Sequence, residues 1–556
     1  MLKTYTYPKY HYQRPPELDA VGARRPVLIV GAGPVGLTAA LDCHLHGIPA
    51  IVIDDDDTVS VGSRGLCYAK RALEVLDRVG VGQAVVDKGV EWNVGRTFFR
   101  EKEVYSFNLL PEPDHKRPGM INLQQYYLEE YLVNRCNEVG IEIRWKNKVI
   151  SVTPADDRVS LQVETADGVY GIECDWLIVC DGARSPIRTM MGLDIDGKIF
   201  MDRFLIADVV MKADFPAERW FWFDPPFHPN QSVLLHREAD NVWRIDFQLG
   251  WDADPQAEKQ PERVIPRIQA MLGKDREFEL EWVSVYTFQC RRMNRFNHGR
   301  VMFAGDAAHQ VSPFGARGAN SGVQDTDNLI WKLKLVIDGK APSELLDTYS
   351  DERCWAADEN ILNSTRSTDF ITPKSNASKQ IRTAVLQLAQ KHAFARKLVN
   401  SGRLSVPAYY TGSTLNTPDS DSFAGMMEPG APMDDAPVRV NGHDPADQWL
   451  LDHVGNRFQA LLFADDVATL DGSQLRALAE GGGGQFPVQP VVITPGSKAV
   501  PGILTLQDVK GRFAQRYDAR DGTVYLARPD QHVAARWRSL DLASIRAAVL
   551  RATCNA

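Results

Sequence analysis

Asp306 is the residue from which the chemistry of this chain can be argued. It follows the apolar run 301–304 and should lie at the carboxyl end of a strand, where an open α/β sheet receives its ligands. From Asn320 onward apolar residues recur at helical spacing, so a helix should begin there with its N-terminal amides turned towards whatever Asp306 faces. The stretch 305–332 therefore predicts a polar ligand site, of a kind that these residues alone do not define.

A second group of residues has the spacing of a dinucleotide-binding fingerprint. The buried-strand pattern 26–30 runs into a turn containing Gly31, Gly33 and Gly36, and a helix-like stretch and a second strand ending at Asp54 follow. Gly31 permits the tight turn, Gly33 lets the backbone approach a pyrophosphate, and Gly36 lets helix and strand pack closely. Asp54 can accept hydrogen bonds from an adenosine ribose. This order of elements favours a bound dinucleotide over a mere tight turn.

Four more polar or glycine positions lie where elements begin or end. A buried-strand pattern at 176–180 ends in Asp181 and Gly182, which repeats the arrangement of an acid at a strand end. Arg64 lies in a turn before a helix, where it could contact a phosphate or ribose or stay solvated. Gln125 begins another helix and could point its amide at the ligand or cap the helix. Three such strand ends in one chain suggest one long ligand held at several points.

An alternating segment in the middle of the chain supplies candidates for catalysis. Period two places Arg244, Asp246 and Gln248 on one face, which either is solvated or lines a cavity. His236 on the preceding segment and Tyr286 further along join Arg244 and Asp246 as candidates. A lone histidine such as His236 could equally be a satisfied core residue.

Composition restricts the classes of function. Against 72 acidic residues the 556-residue chain has 63 Lys and Arg, a net charge of −9 with no basic stripe, so we expect no nucleic-acid partner. The eight cysteines are scattered without a CxxC pair, which favours reduced thiols and predicts no disulfide framework and no metal site. We find no signal-like N-terminus and no apolar run approaching the roughly 18 residues of a membrane span, so we expect a cytoplasmic protein away from membranes.

Three motifs together resemble one enzyme family. They are GAGPVG with Asp54, CDGARSP, and GDAAHQVSPFGARGANSGVQDTDNLIWKL. In this order they resemble the single-component FAD-dependent aromatic hydroxylases, the class A flavoprotein monooxygenases. The resemblance covers roughly residues 26–400, and the overall length is similar to that of the larger phenol and 3-(3-hydroxyphenyl)propionate hydroxylases.

The resemblance implies roles for residues that match the family's motifs. It implies that the ADP half of FAD is bound by Gly31, Gly33, Pro34, Gly36 and Asp54, and that Arg64 and Gln125 lie near the adenosine and ribityl parts. Asp181 and Gly182 would contact FAD and NAD(P)H, and Asp306 would hold the ribityl chain. The residues near the flavin ring would be Pro313, Gly318, Asn320 and Ser321. Arg244 resembles an arginine near the ring that helps it hold productive orientations. Arg317 follows Ala316 where many relatives carry a Gly-Gln pair, and it could pair with the flavin or an anionic substrate or be structural.

The function that the resemblance implies is hydroxylation of a phenolic ring with O₂ and NAD(P)H through a flavin hydroperoxide. A histidine or aspartate of near-neutral pKa would suit deprotonation of the phenol, which makes His236, Asp246 and Tyr286 the candidate bases. No second GxGxxG occurs, so we expect NAD(P)H to bind transiently. The alternatives are an FAD oxygenase that performs epoxidation or Baeyer-Villiger oxidation on a non-phenolic substrate, and a flavin-binding protein without turnover.

The predicted fold is α/β: a Rossmann-like FAD-binding domain interleaved with a β-sheet substrate domain, plus a thioredoxin-like α/β domain without CxxC. The predicted boundaries are an N-terminal arm at 1–25, the FAD-binding domain at 26–200 and again with its helices at 291–410, the substrate sheet at 201–290, a linker at 411–436 and the thioredoxin-like domain at 437–556. The arm is rich in tyrosine and could pack on the body of the protein or on a second subunit, which would make a homodimer. Glycines 481–484 predict a flexible loop.

Overall fold

The computed structural model describes residues 2, 4–20, 22, 24–213, 215–399, 404, 406–441, 446–480 and 486–556. The glycine run 481–484 lies outside the described residues. Within these ranges no helix combines enough length with enough apolar character to cross a bilayer.

The described residues form 26 strands and 14 α-helices. The strands are β1 (Arg25–Val30), β2 (Ala50–Ile53), β3 (Cys67–Ala69), β4 (Val90–Trp92), β5 (Val94–Phe99), β6 (Lys102–Asn108), β7 (Met120–Asn122), β8 (Glu142–Arg144), β9 (Lys148–Pro154), β10 (Val159–Thr165), β11 (Gly168–Val179), β12 (Asp196–Val210), β13 (Arg219–Phe223), β14 (Ser232–Arg237), β15 (Val242–Leu249), β16 (Glu279–Arg292), β17 (Asn297–His298), β18 (Val301–Phe303), β19 (His309–Gln310), β20 (Pro437–Val440), β21 (Gln448–Trp449), β22 (Gln459–Phe463), β23 (Gln489–Thr494), β24 (Leu504–Asp508), β25 (Val524–Ala527) and β26 (Val533–Trp537). The helices are α1 (Pro34–Leu45), α2 (Lys70–Arg78), α3 (Gly82–Lys88), α4 (Gln125–Glu138), α5 (Pro186–Met190), α6 (Pro255–Glu258), α7 (Pro261–Leu272), α8 (Gly318–Ile337), α9 (Leu345–Ile371), α10 (Asn376–Ala389), α11 (Ala393–Leu398), α12 (Gly472–Ala479), α13 (Arg512–Arg516) and α14 (Leu542–Ala552).

The first sheet is the Rossmann-like one, and its central strands are parallel. Its order is β17-β18-β11-β1-β2-β8, in which β18, β11, β1, β2 and β8 are parallel to one another, while β17 and the β9-β10 hairpin pair antiparallel at its sides. These strands are apolar almost throughout because helices cover them: Val27, Leu28 and Ile29 of β1 have no exposed surface. Strand β1 feeds directly into α1, as the glycine fingerprint predicts.

The second sheet has one apolar face and one mixed face. Its order is β19-β16-β12-β15-β14-β13-β5-β6, so it takes β5 and β6 from the segment predicted to belong to the FAD-binding domain. Residues such as Trp243, Ile245 and Phe247 on one face of β15 pack against Val264 and Ile268 of α7. The opposite face carries Arg244, Asp246 and Gln248, as the alternation predicts.

The C-terminal region forms a sheet of its own. Strands β22, β23 and β24 are parallel, β25 and β26 form an antiparallel pair beside β22, and α14 follows at the end. The order β21-β20-β24-β23-β22-β25-β26, with α12 connecting β22 to β23, is an α/β layer arrangement. The predicted α/β fold class is confirmed.

The N-terminal arm packs on its own chain. The Tyr5 ring stacks on Tyr126 of α4 with centroids 4.1 Å apart, and the Tyr10 ring stacks on Trp145 at 4.4 Å. The Tyr7 hydroxyl accepts a hydrogen bond of 2.9 Å from the Gly62 amide. The arm thus holds the loop that contains Arg64, and the predicted homodimer stays a prediction.

Candidate active site

Four predicted site residues follow neighbouring strands of the first sheet. Because β18, β11, β1 and β2 are adjacent and parallel, their carboxyl ends meet at one edge. Asp306, Asp181, Gly31 and Asp54 come after these strands in that order along the edge. Packing of parallel strands therefore brings together residues that are up to 275 positions apart in the sequence.

The glycine turn after β1 has the geometry of a close-approach loop. Gly31 has a φ of +110°, and a Cβ there would lie 2.3 Å from the Cys180 carbonyl oxygen. A Cβ at Gly36 would lie 1.9 Å from the Gly31 carbonyl oxygen, so α1 needs glycine to pack on the turn. A Cβ at Gly33 would meet nothing within 4 Å. Gly33 therefore faces open space beside the N-terminus of α1, where an anion is favoured.

The three carboxylates at this edge have raised pKa values. Burial is the main cause for each, and it raises the pKa of Asp54 to about 6. Asp54 accepts hydrogen bonds from the Ala32 amide at 2.5 Å and the Asp56 amide at 2.8 Å, so it also fixes the glycine turn. One carboxylate oxygen of Asp181 is enclosed without a hydrogen-bond partner among the described residues.

Asp306 lies in a cleft. Its side chain is open to solvent, yet surrounding protein raises its pKa, and its carboxylate makes no hydrogen bond to another described residue. A Cβ at Gly318 would lie 3.9 Å from the Asp306 carboxylate. The start of α8 and Asp306 therefore face each other, as the sequence predicts.

The N-terminus of α8 presents free amides. The first helical hydrogen bond of 2.8 Å runs from the Ser321 amide to the Arg317 carbonyl, and the amides of residues 318–320 donate to no other described residue. The Asn320 side chain is bound to β3, accepting from the Ala69 amide at 2.8 Å. The Ser321 hydroxyl accepts from Arg353 at 2.8 Å. At this helix start the amides, rather than the Asn320 and Ser321 side chains, are the groups left for a ligand.

The turn before α8 is built from an aromatic and a left-handed residue. Pro313 begins a 3₁₀ turn after Ser312, and Phe314 packs against Phe204 with ring centroids 4.7 Å apart. Ala316 adopts a φ of +51°, the region that favours glycine. The buried Arg317 donates to the Asn360 side chain at 2.7 Å.

Arg64 and Gln125 both belong to the surroundings of the loop that contains Gly65. Arg64 is exposed, and its guanidinium has no hydrogen bond or ion pair with another described residue. The Gln125 side chain accepts from the Gly65 amide at 2.7 Å and donates to Glu129 at 2.7 Å. It makes no cap for α4, so the capping alternative is wrong. Gln125 instead supports the loop that holds Arg64.

Arg244 is committed to a buried ion pair. Its guanidinium donates to both oxygens of Asp208, directly opposite on β12, at 2.8 and 2.9 Å, and it lies 3.3 Å from Glu238. It also donates to the Ser63 carbonyl of the Arg64 loop. Burial and the charge of Asp208 raise the pKa of Glu238 well above its usual range, although the Arg244 guanidinium opposes the shift.

Asp246 is on the same face as Arg244, and no described residue binds its carboxylate. One of its carboxylate oxygens is enclosed, and the side chain makes no hydrogen bond to another described residue. Burial, opposed by Arg244, raises the pKa of Asp246 to about 7. Because Gln248 and Arg244 are buried on either side, this face is turned inward and the solvated alternative is wrong.

His236 and Tyr286 share that face. His236 is buried, its Nδ1 lies 3.5 Å from the Asn122 side chain, and burial lowers its pKa well below the usual range. Tyr286 is half-buried and pairs across the strands with Phe204. A neutral histidine of depressed pKa is poorly suited to take up a proton at pH 7, and Asp246 is better suited.

Sequence reasoning missed three groups around the site. Asp325 of α8 accepts hydrogen bonds from the Gly305 amide at 2.8 Å, from His309 at 2.7 Å and from Arg353 at 2.6 Å, so it fixes the turn before Asp306. Burial would raise the pKa of Asp325, but His309 and Arg353 outweigh it and lower that pKa. Asp208 and Arg219 were also missed, and only the period-two spacing of Arg219 with Phe221 signals that it faces inward.

The residues at the sheet edge fit the chemistry of a flavin dinucleotide. Carboxylates without full complements of hydrogen bonds can accept from ribose and ribityl hydroxyls, and helix-terminal amides with Arg64 can bind phosphates. The open space at Gly33 permits the close approach that a pyrophosphate requires. A separate cavity of about 320 Å³ between α9 and residues 410–414 shares no lining residue with this edge.

Comparison with known proteins agrees with this fit. Residues 24–364 match the family described as FAD binding domain. The chain belongs to this family. FAD is therefore its cofactor, and the predicted membership of the FAD-dependent aromatic hydroxylases is confirmed.

Relatives of the family match nearly the whole chain. The 6-methylpretetramide 4-monooxygenase of Streptomyces rimosus is 31% identical over 81% of this chain and 81% of its own. The 3-(3-hydroxy-phenyl)propionate/3-hydroxycinnamic acid hydroxylase of Mycolicibacterium gilvum (strain PYR-GCK) is 26% identical over 92% of this chain and 88% of its own. The chain is thus an FAD-dependent monooxygenase.

Solved structures show the same fold. The flavin-dependent monooxygenase PieE, in complex with FAD and substrate, aligns with a TM-score of 0.81 at 22% identity, covering 97% of this chain and all of that one. Aklavinone-11 hydroxylase, in complex with FAD and aklavinone, aligns with a TM-score of 0.76 at 20% identity, covering 96% of this chain and 100% of that one. The interleaved two-sheet architecture with a C-terminal α/β region is therefore shared.

Proposed function

We propose that this flavoprotein hydroxylates a phenolic ring with O₂ and NAD(P)H, with Asp246 as the base that accepts the phenol proton. The observation that carries the proposal is the Asp246 carboxylate on an inward sheet face, which has a pKa of about 7 and no hydrogen bond to another described residue. Relatives named as a 3-(3-hydroxy-phenyl)propionate hydroxylase and a 6-methylpretetramide 4-monooxygenase support an aromatic substrate.

The role of Asp246 follows from the electron demand of ring hydroxylation. Removing the phenol proton raises the electron density of the ring, which favours attack on an electrophilic oxygen. A base with a pKa near the working pH is both available and strong enough for that transfer. Arg244 and Glu238 lie on the same side of the sheet as Asp246, but Arg244 already contacts both Asp208 and Glu238. Asp246 is therefore the carboxylate on this face that is available to a substrate.

FAD, when bound, supplies the redox chemistry that activates O₂. We assign its ADP half to the turn containing Gly31, Gly33, Pro34 and Gly36, with Asp54 and Arg64. Asp181, Gly182 and Asp306 would hold hydroxyls of the ribityl and ribose parts, and the amides of 318–320 would stabilise negative charge on the ring system. Pro313, Arg317, Asn320 and Ser321 stay predicted site residues, and Gln125 acts through the Arg64 loop.

Aromatic packing beside the turn before α8 would keep water out. The Phe314 ring lies 4.7 Å from Phe204, 5.2 Å from Phe288 and 6.4 Å from Phe221, in edge-to-face contacts. These rings pack between the second sheet and the turn before α8. Exclusion of water there protects a reactive oxygen species from unproductive decay.

Transient NAD(P)H binding, homodimer formation and the predicted domain boundaries are also parts of the proposal, except that β5 and β6 join the substrate sheet. No helix or strand is assigned in 411–436, which supports the linker.

The decisive experiment is a substrate screen on the FAD-loaded protein. Phenols, alkenes and ketones are compared for acceleration of NADPH and NADH consumption under ¹⁸O₂, with mass spectrometry of the products. We expect phenols to accelerate consumption and to gain one labelled oxygen on the ring. Labelled epoxides or esters without labelled phenols would favour the epoxidation or Baeyer-Villiger alternative. Inert behaviour towards every compound would favour the non-catalytic alternative.

A further inference from the structure

Helices α10 and α11 present apolar side chains to solvent. Ile381 and Leu388 are seven residues apart and share one face of α10, and Phe394 and Leu398 are four residues apart and share one face of α11. These four side chains are between 43% and 65% exposed. Other sides of the two helices are buried in one apolar cluster through Leu386, Ala389, Ala395 and Val399. Both helices thus rest on the same part of the protein and turn a second apolar face outward.

The segment that contains these helices is basic throughout. Residues 370–418 contain seven Lys and Arg and no Asp or Glu, although the whole chain has 72 acidic and 63 basic residues. Three of the seven are exposed lysines without a hydrogen bond or ion pair to another described residue: Lys379, Lys391 and Lys397. Arg396 donates to the backbone carbonyls of Ala389 at 2.9 Å and Gln390 at 3.4 Å, which leaves its charge uncompensated. The overall charge of −9 averages over this segment and conceals it.

Carboxylates around the segment already have partners. Asp369, directly before it, pairs with Lys198 at 3.0 Å, and Asp202 pairs with Lys374 at the start of the segment. Glu103 is on β6, the strand that α10 contacts, and it pairs at 3.1 Å with an arginine of β5. The three exposed lysines are therefore left to anions outside the protein.

An apolar helix face bordered by lysines matches the surface of an anionic lipid bilayer. Protein–protein interfaces are depleted in Lys and enriched in Arg and aromatic residues, whereas lysines predominate among the exposed charges of this segment. A second copy that docked through the same surface about a two-fold axis would bring identical positive charges together. Nucleic acid offers anions, but it gives exposed aliphatic side chains no apolar phase to enter. A bilayer offers both phosphates and an apolar boundary.

We propose that the outward faces of α10 and α11 form a peripheral membrane-binding surface. The lysines contact the phosphates of anionic lipids, and four apolar side chains enter the boundary between headgroups and acyl chains: Ile381, Leu388, Phe394 and Leu398. The expectation of a protein away from membranes rests on the lack of a spanning run, and surface binding does not need one. The inference is independent of the substrate and of the proposed hydroxylation.

The test is flotation of the FAD-loaded protein with vesicles of two compositions. One is phosphatidylcholine alone, and the other is an equimolar mixture of phosphatidylcholine and phosphatidylglycerol. We expect binding to the mixed vesicles to be at least about tenfold tighter, since each basic residue near an anionic surface contributes about fivefold. The preference should weaken as salt is added, because salt screens the lysines from the lipid charges.

A charge variant locates the basic part of the surface. It carries Lys379→Gln, Lys391→Gln and Lys397→Gln, and its affinity for the mixed vesicles should fall about 30- to 100-fold. The matched control removes the same charge from exposed lysines outside the segment, through Lys212→Gln, Lys274→Gln and Lys498→Gln. Its affinity should stay within about twofold of the parent, because screening confines the effect of a charge to its surroundings.

An apolar variant tests insertion without a change of charge. Ile381→Ser with Phe394→Ser should weaken binding to the mixed vesicles about tenfold or more, because less apolar area leaves water. Val169→Ser with Met426→Ser is the control, since these side chains are 52% and 65% exposed on other parts of the chain. All substituted positions are exposed, so each variant should keep the FAD content and melting temperature of the parent.

The outcomes separate the possible partners. Failure of the parent to bind mixed vesicles, equal binding to both compositions, or undiminished binding by the folded charge variant would each overturn the proposal. Binding to soluble polyglutamate without vesicle binding would assign the surface to an acidic protein and overturn it. A changed oligomeric state of the apolar variant, again without vesicle binding, would assign the surface to a second copy and overturn it. Absence of hydroxylation with vesicle binding intact would count against the proposed function alone.

Discussion

Asp246 and Asp306 are carboxylates placed in two different kinds of surroundings. Asp246 is on a sheet face, where burial outweighs the nearby Arg244 and raises its pKa to about 7. Asp306 lies in a cleft at a strand end, beside free helix amides. The first is suited to exchange a proton near neutral pH, and the second is suited to accept hydrogen bonds from hydroxyl groups.

The Asp246→Asn variant tests the proton transfer. We expect kcat/KM for hydroxylation to fall about 100- to 1,000-fold, which is within the range for loss of a general base. In the parent, kcat/KM should rise as the pH passes through about 7, since the carboxylate is the active form, and the variant should lack that inflection. Because folding raises this pKa, the protonated form stabilises the fold at low pH, and this contribution is lost as the pH rises through about 7.

The matched control for this variant is Asp252→Asn, a change at an exposed carboxylate just beyond β15. It should leave both the rate and the pH profile unchanged. An inflection near pH 7 that survives in Asp246→Asn would assign the proton transfer to another group.

The Asp306→Ala variant tests FAD retention. Removing a carboxylate acceptor from the cleft should raise the Kd for FAD by about 10- to 100-fold, as loss of a charge-assisted hydrogen bond does. The measurement is FAD bound per protein after gel filtration, followed by titration of the apoprotein. Asp338→Ala, at the exposed end of α8, is the control. Full yellow colour in Asp306→Ala would refute the assignment.

At the scale of elements, two glycines in the turn between β1 and α1 have different tasks, one in protein packing and one in ligand contact. Gly36 is required by the protein itself, since its Cβ would lie 1.9 Å from the Gly31 carbonyl oxygen. Gly33 is not, since its Cβ would meet no protein atom within 4 Å. The same turn thus contains one glycine for the fold and one for the cofactor.

Alanine at these two positions should have different effects. Gly33→Ala should keep the thermal stability of the apoprotein and weaken FAD binding, because the added methyl occupies the approach of the pyrophosphate. Gly36→Ala should lower the stability of the apoprotein itself by about 1–3 kcal/mol, the usual effect of overpacking. Chemical denaturation of apoprotein and FAD titration measure the two effects. Equal loss of apoprotein stability in both variants would contradict this division.

At the scale of the whole molecule, a buried ionic network joins the C-terminal region to the FAD-binding part. Arg528 donates to both oxygens of Glu352 on α9 at 2.6 and 2.9 Å and to Asp530 at 2.6 Å. Glu352 also accepts from Lys332 of α8 at 2.8 Å. Its neighbour Arg353 binds Asp325, which fixes the turn before Asp306. Contacts in the C-terminal region therefore support the cleft from behind.

The Arg528→Met variant tests this support. Removing Arg528 leaves the buried carboxylates of Glu352 and Asp530 without enough positive charge nearby, so the free energy of unfolding should fall by about 3–5 kcal/mol. FAD retention should fall as well, because α9 positions Arg353. Arg439→Met, which breaks an exposed pair with Asp447, should change stability by less than about 1 kcal/mol. Urea unfolding with FAD content measures both, and unchanged FAD content in Arg528→Met would show that the network serves stability alone.

The local patterns of the chain were sufficient for the α/β fold class, a dinucleotide site and one face of the second sheet, and the resemblance of its motifs to a family identified the dinucleotide as FAD. Glycine spacing after an apolar run determines a turn within six residues, and period-two alternation determines which side chains share a face, because both depend on neighbours in the sequence. The cofactor edge also followed, since parallel strands place their carboxyl ends together.

Only the tertiary structure decided which polar side chains are bound by other residues of the protein and which are left for a ligand. Arg244 and Ser321 resemble ligand contacts in the sequence, but Asp208 and Arg353 bind them in the fold. The spacing of Arg219 with Phe221 indicates only that it faces inward, and the packed sheet leaves it buried without a hydrogen bond to another described residue. Hydrogen bonds and ion pairs between residues distant in the sequence depend on how the elements pack, and no local spacing specifies them.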